Sequence, residues 1–102
     1  MMENNEGASM EMPRYKCYKE VWALKIKDIV FDYQLAKLEG NRETDGSAKI
    51  YPEDGAYAPF RVDHEYVSKH KPQVGGYYVV YKDGYKSFSP AEAFEKGYAL
   101  MR

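Results

Sequence analysis

The chain has 102 residues, 44% of them hydrophobic and 30% charged, with fifteen basic side chains facing sixteen acidic ones for a formal charge of -1. That length suits one domain with one modest core, and the balance excludes disorder throughout. The missing basic excess argues against extended nucleic-acid binding, whose affinity comes mostly from phosphate neutralisation.

Residues 1–13 (MMENNEGASMEMP) are polar and aperiodic and end in proline. They read as a disordered leader, an appended or upstream-start segment, ahead of a single domain over 14–102. Residues 15–31 are β-type: Trp22, Leu24 and Ile26 alternate with Ala23, Lys25 and Lys27, a period of two. The run exceeds the usual strand of about 5–6 residues, so a bend, a bulge or two strands is expected. Residues 32–47 form a connector with Gly40, Asn41 and the Asp45–Gly46 pair as turn residues, and one helical turn at 35–39. A short strand over 48–51 stops at Pro52, residues 53–59 are a loop, and 60–62 add a brief strand.

Asp63 is placed to cap a helix over 64–71. Val62 and Val67 have the spacing of a hydrophobic staple, and Lys69, His70 and Lys71 suit the negative end of the helix dipole. Pro72 prevents continuation. The C-terminal third then reads as strand 77–82, an Asp83–Gly84 turn, strand 85–88, and a short helix before Gly97. Ser89, Pro90 and Glu92 have the spacing of a capping box. A two-residue loop would put Lys82 opposite Tyr85. Tyr77, Val79, Tyr81, Lys86 and Phe88 would then share the core face, leaving Tyr78, Val80, Lys82, Tyr85 and Ser87 on the other. Residues 98–100 make a last strand or an extended tail. The fold class is α+β: a small antiparallel sheet of about four or five strands with two short helices. A partly closed barrel is the alternative architecture.

Catalytic chemistry is hard to place. Cys17 is the single cysteine, so no intrachain disulfide forms, and with His64 and His70 it falls short of a structural zinc set. His64 and His70 are six apart on one helix, too far round to share a metal. Gly75–Gly76 precedes a strand and lacks the Gly-Lys-Ser/Thr ending of a phosphate loop. The carboxylates each suit a turn, a cap or a solvated face, and none pairs at a spacing that calls for acid–base work. No cofactor is expected. The absence of a long apolar run and of a signal-peptide pattern points to a cytoplasmic protein without a membrane partner.

Eleven tyrosines stand out, because tyrosine both packs cores and is enriched at interfaces. The aromatic–basic mixture on the hairpin makes Tyr78, Lys82, Tyr85, Lys86 and Trp22 the candidate ligand- or partner-binding residues. Rings beside lysines suit a nucleotide base and phosphate, a protein partner, or a second copy of the chain.

Residues 15–26 (YKCYKEVWALKI) and 74–98 (VGGYYVVYKDGYKSFSPAEAFEKGY) resemble a family of small accessory proteins from tailed phages and prophages. The likeness covers most of the chain after Pro13 and is weakest over 32–48. Family members carry His where this chain has Tyr18, which argues against essential histidine chemistry there. The resemblance implies expression in a bacterial host cytoplasm and brings no active-site assignment. The expected function is a non-enzymatic binding protein that works as a homo-oligomer. It would act on a host protein or a small signalling nucleotide as an inhibitor of host defence. A structural or assembly component of a phage particle is the alternative, and a small hydrolase the least favoured.

Overall fold

The computed structural model describes residues 12–15 and 19–101. The expected leader, Cys17 and Tyr18 lie outside them, apart from Met12 and Pro13. The elements run β1 (Val21–Phe31), α1 (Asp32–Leu38), β2 (Ala48–Pro52), β3 (Phe60–Val62), α2 (His64–His70), β4 (Tyr77–Tyr81), β5 (Lys86–Ser89) and α3 (Ala91–Gly97). The five strands form one antiparallel sheet in the order β3-β2-β1-β4-β5, curled into a half-barrel. The fold is α+β as expected, with three short helices rather than two. The extra one is α1, which begins earlier than the single turn expected at 35–39.

The long first strand makes the curl. Its N-terminal half pairs with β4, Val21 opposite Tyr81 through Lys25 opposite Tyr77. Its C-terminal half pairs with β2, Ile29 opposite Ile50 and Phe31 opposite Ala48. The switch is a bulge between Ile26 and Asp28. There the backbone serves both neighbours: the Lys25 carbonyl accepts from Glu53 N–H, while Ile26 exchanges two bonds of 2.8 Å with Gly75 and Gly76. A bulge adds a residue on one side, bends the strand and raises its twist. A bent β1 shared by both halves, with a helix in the β3–β4 connection, is the connectivity of an OB-type barrel. Among the described residues it is left open between β3 and β5.

The inner face holds the core: Ile26, Ile29, Ala48, Ile50 and Val62, closed by Tyr66 of α2. Phe31, Phe60, Val67, Tyr78 and Phe88 pack around it. Asp63 caps α2 through its carboxylate, which accepts from Tyr66 N–H at 2.9 Å. Val62 is buried and Val67 lies against the core, as a staple requires. Lys71 ends the helix in the left-handed region at φ 47°, and the buried Pro72 follows. α1 is tied down by its flanking loop: Asp32 takes two bonds from the Arg42 guanidinium and one from Asp45 N–H.

Two local expectations are corrected. The hairpin loop has three residues, Lys82 to Gly84, because Tyr81 and Tyr85 close it as a pair. A two-residue Asp-Gly turn of the primed type needs positive φ at both positions. Only Gly84 has it, at 90°, and Asp83 does not. The geometry is instead the three-residue loop with glycine in the left-handed bulge position. The register moves by one, so Tyr78 faces Phe88 and Val80 faces Lys86. The second correction follows from the first. Ser89 is drawn into the ladder opposite Tyr77, so Pro90 becomes the N-cap of α3 and no side-chain cap bond forms. Gly97 is the last helical residue and lacks positive φ, so it is not a left-handed stop. Residues 98–100 are an extended tail, not a strand.

Candidate interaction surface

The curl brings the β4–β5 hairpin, the start of β1 and the end of α2 to one end of the sheet. Tyr66 reaches across from α2, its hydroxyl donating to the Ser87 carbonyl at 2.6 Å. Burial raises its pKa well above the ordinary tyrosine value, with the nearby Tyr78 adding to the shift. This ring is a neutral strut. One turn later, His70 lies 4.9 Å from the Tyr66 ring and 5.8 Å, edge-on, from Tyr85. Burial and then the Lys69 charge lower the His70 pKa from its ordinary value, so the neutral imidazole is favoured. Lys69 Nζ sits 5.2 Å from the Tyr85 ring centre, and Lys19 Nζ 5.0 Å from that of Tyr81. The Tyr81 and Tyr85 rings are stacked at 5.8 Å. The result is a cluster of rings with ammonium groups over their faces.

Of the residues singled out from the sequence, four gather here. Lys82 is in the turn, Tyr85 closes it, and Lys86 opens β5. Trp22 on β1 faces Val80 of β4, and Val80 in turn faces Lys86 of β5. Trp22 is 60% exposed and Tyr85 42%. Tyr78 is elsewhere. The one-residue register change turns it to the inner face, with its ring 4.7 Å from Phe60 and 5.6 Å from Tyr66. Its expected place on the open face beside Lys82 and Tyr85 is therefore corrected: Tyr78 serves the core. Sequence reading missed Lys69, His70 and Tyr81 as members. Their positions in a helix turn and a strand gave no hint that α2 ends beside the hairpin.

The outer face carries a second aromatic feature. Phe94 of α3 stacks on Tyr77 at 4.1 Å and on Tyr98 at 4.6 Å. Glu95 accepts from Tyr77 Oη at 2.8 Å and from Lys25 Nζ at 3.1 Å. These bonds hold the Glu95 carboxyl below its usual range. They fix α3 to the sheet.

At the other end of the molecule an open cleft of about 320 Å³ is lined by Tyr33, Ala36, Lys37, Asn41, Arg42 and Thr44. The Arg42 guanidinium is committed to Asp32, Glu39 and the Glu43 carbonyl. Asp32 is held far below the usual carboxylate range, first by Arg42 and then by Asp45 N–H. The cleft is thus a by-product of a loop-fastening network. Among the described residues no group of three or more His, Cys, Asp or Glu is placed to hold a metal ion, and no helix is long and apolar enough to cross a membrane.

No protein-family model matches the chain, and no curated protein matches it significantly. Among solved structures, the chain is similar to the monomeric form of the phage L decoration protein, determined in solution by NMR. The identity is 31%, the TM-score 0.55, and the match covers 92% of this chain. The chain spans 63% of the length of that protein. The likeness is consistent with a phage protein. It overturns the expectation of a host-protein or nucleotide binder that inhibits host defence, and favours the particle component held above as the alternative.

Proposed function

We propose that this chain is a structural component of a phage particle, a small domain that attaches to the outside of the protein shell. The observation that carries the reading is the 31% identity to a phage decoration protein across 92% of the chain. The physical character of the molecule agrees with it. Asp32, Arg42, Asp63 and Glu95 are engaged in caps, turns and ion pairs, and an exposed aromatic–basic end is left to meet a partner. Such a domain needs a stable scaffold and one sticky surface, with no pocket for a substrate. It would be made and assembled in the host cytoplasm. The tyrosine-rich surface also motivates self-association on the particle, which the solution mass of the purified 11.8 kDa chain would test. A strict monomer at all concentrations removes that part of the proposal.

The test is reconstitution. Heads of the encoding phage, prepared from a strain deleted for this gene, are mixed with the purified chain and separated on a density gradient. The chain is expected to co-migrate with the heads and to saturate at a fixed copy number. Failure to associate at any concentration would overturn the reading.

A further inference from the structure

Among the described residues, nothing packs over the row Trp22–Val80–Lys86 enough to bury Trp22 or Lys86. This row lies two residues along from the row Leu24–Tyr78–Phe88, so both rows share the inner face. The second row is packed: Tyr78 and Phe88 abut the core. The first is not. Trp22 stays 60% exposed, and Lys86 is exposed beside a half-buried Val80. A large indole left in water on a strand forgoes most of the stabilisation its burial would bring. Tryptophan is enriched among the residues that anchor interfaces, with charged side chains at the rim.

The charge at this end is also unbalanced. Among the described residues Lys25, Arg42, Arg61 and Lys96 each meet a carboxylate, while Lys37 and Lys49 at the far end do not. Lys69, Lys82 and Lys86 form no ion pair among the described residues. Asp83, the carboxylate in the turn, accepts from Tyr85 N–H at 3.0 Å, and Glu65 acts on Lys69 through its charge. A partner that covers the indole must bring these ammonium groups close to its own surface, and an anionic surface makes that favourable.

We propose that the inner-face row Trp22–Val80–Lys86, with Lys82 at the hairpin tip, docks onto an acidic protein surface. The indole seats on an apolar spot there and the lysines meet surrounding carboxylates. Resting on the reading of the chain as a shell component, the proposal names the face turned to the shell. A protein is favoured over nucleic acid because the chain has no net positive charge and the cations occupy one short end rather than a groove.

Trp22 is the single tryptophan, so its emission reports on this row alone. Two experiments separate the possibilities. In the first, gene-deleted heads are titrated with the full chain, with Lys82→Glu/Lys86→Glu, with Trp22→Ser, and with Lys37→Glu/Lys49→Glu as a charge-matched control on the far end. Far-ultraviolet circular dichroism checks that each is folded. The row variants are expected to lose about tenfold or more in affinity, the control to stay within about twofold, and binding to weaken with salt. Wild-type binding that the row variants match would overturn this face while leaving the shell reading intact. In the second, Trp22 emission is followed as poly-L-glutamate, a DNA duplex or more of the chain itself is added. A salt-reversible change with poly-L-glutamate sustains the acidic-surface inference even where heads fail to bind. No change, a larger response to DNA, or a change driven by the chain's own concentration would each overturn it.

Discussion

Gly76 is buried where the Phe88 ring and the Ser89 carbonyl would meet any added Cβ. The missing side chain lets Phe88 reach the core from an edge strand. Gly76→Ala should therefore cost about 1–3 kcal/mol by overpacking, read as a lower urea midpoint with an unchanged slope. Tyr66→Phe keeps the ring but removes its bond to the Ser87 carbonyl, and should cost about 1 kcal/mol. His70 offers a pH readout. Its folded pKa is lowered, so the unfolded chain binds the proton more tightly. The contribution is fully present above the ordinary value of 6.5 and is lost as the pH falls through it towards the folded value. The thermal midpoint should drop across that window, and His70→Phe should flatten the drop. An equally steep drop in the variant would show that another group is responsible.

At the scale of elements, the connector over 32–47 is secured by charge. Asp32 has a depressed folded pKa, so its contribution is complete above the ordinary 3.8 and is lost as the pH falls through that value. Arg42→Leu should lower stability at neutral pH and make the acid limb of a pH–stability curve shallower. An unaltered acid limb would mean that the Asp32–Arg42 pair does not fasten the loop. Much of the element order could be read directly. The period-two pattern with excess length predicted a bent β1, and Asp63 and Pro72 bracketed α2. Asp83–Gly84 marked the hairpin. What was not legible was the loop's residue count. Asp-Gly fits a two-residue primed turn and also the end of a three-residue bulged loop, and one residue of register exchanges the two faces. That one step moved Tyr78 into the core and drew Ser89 out of its expected cap. α1 was underestimated because its start has no capping side chain. Phe31 is the N-cap, and only Gln34 reaches back, accepting from Phe31 N–H at 2.9 Å.

At the scale of the molecule, the five strands and three short helices of the described residues make a half-open barrel with a cationic, aromatic end. Trp22, Lys82, Tyr85 and Lys86 were picked from the sequence because the residue types suit contact. Their gathering was not visible there, since it depends on how β1 bends and on where α2 ends. The neighbours Lys69, His70 and Tyr81 join only through tertiary packing. The likeness to a phage decoration protein over most of the chain is what the proposed place on a shell rests on. The most direct measurement is a cryo-electron-microscopy reconstruction of heads from the gene-deleted phage, with and without the purified chain. The account predicts added density on the outer surface of the shell, fitted by the half-barrel with its β4–β5 hairpin and Trp22 turned inward against the coat. Maps that are identical with and without the chain, or density contacting the shell through the α1 end, would contradict it.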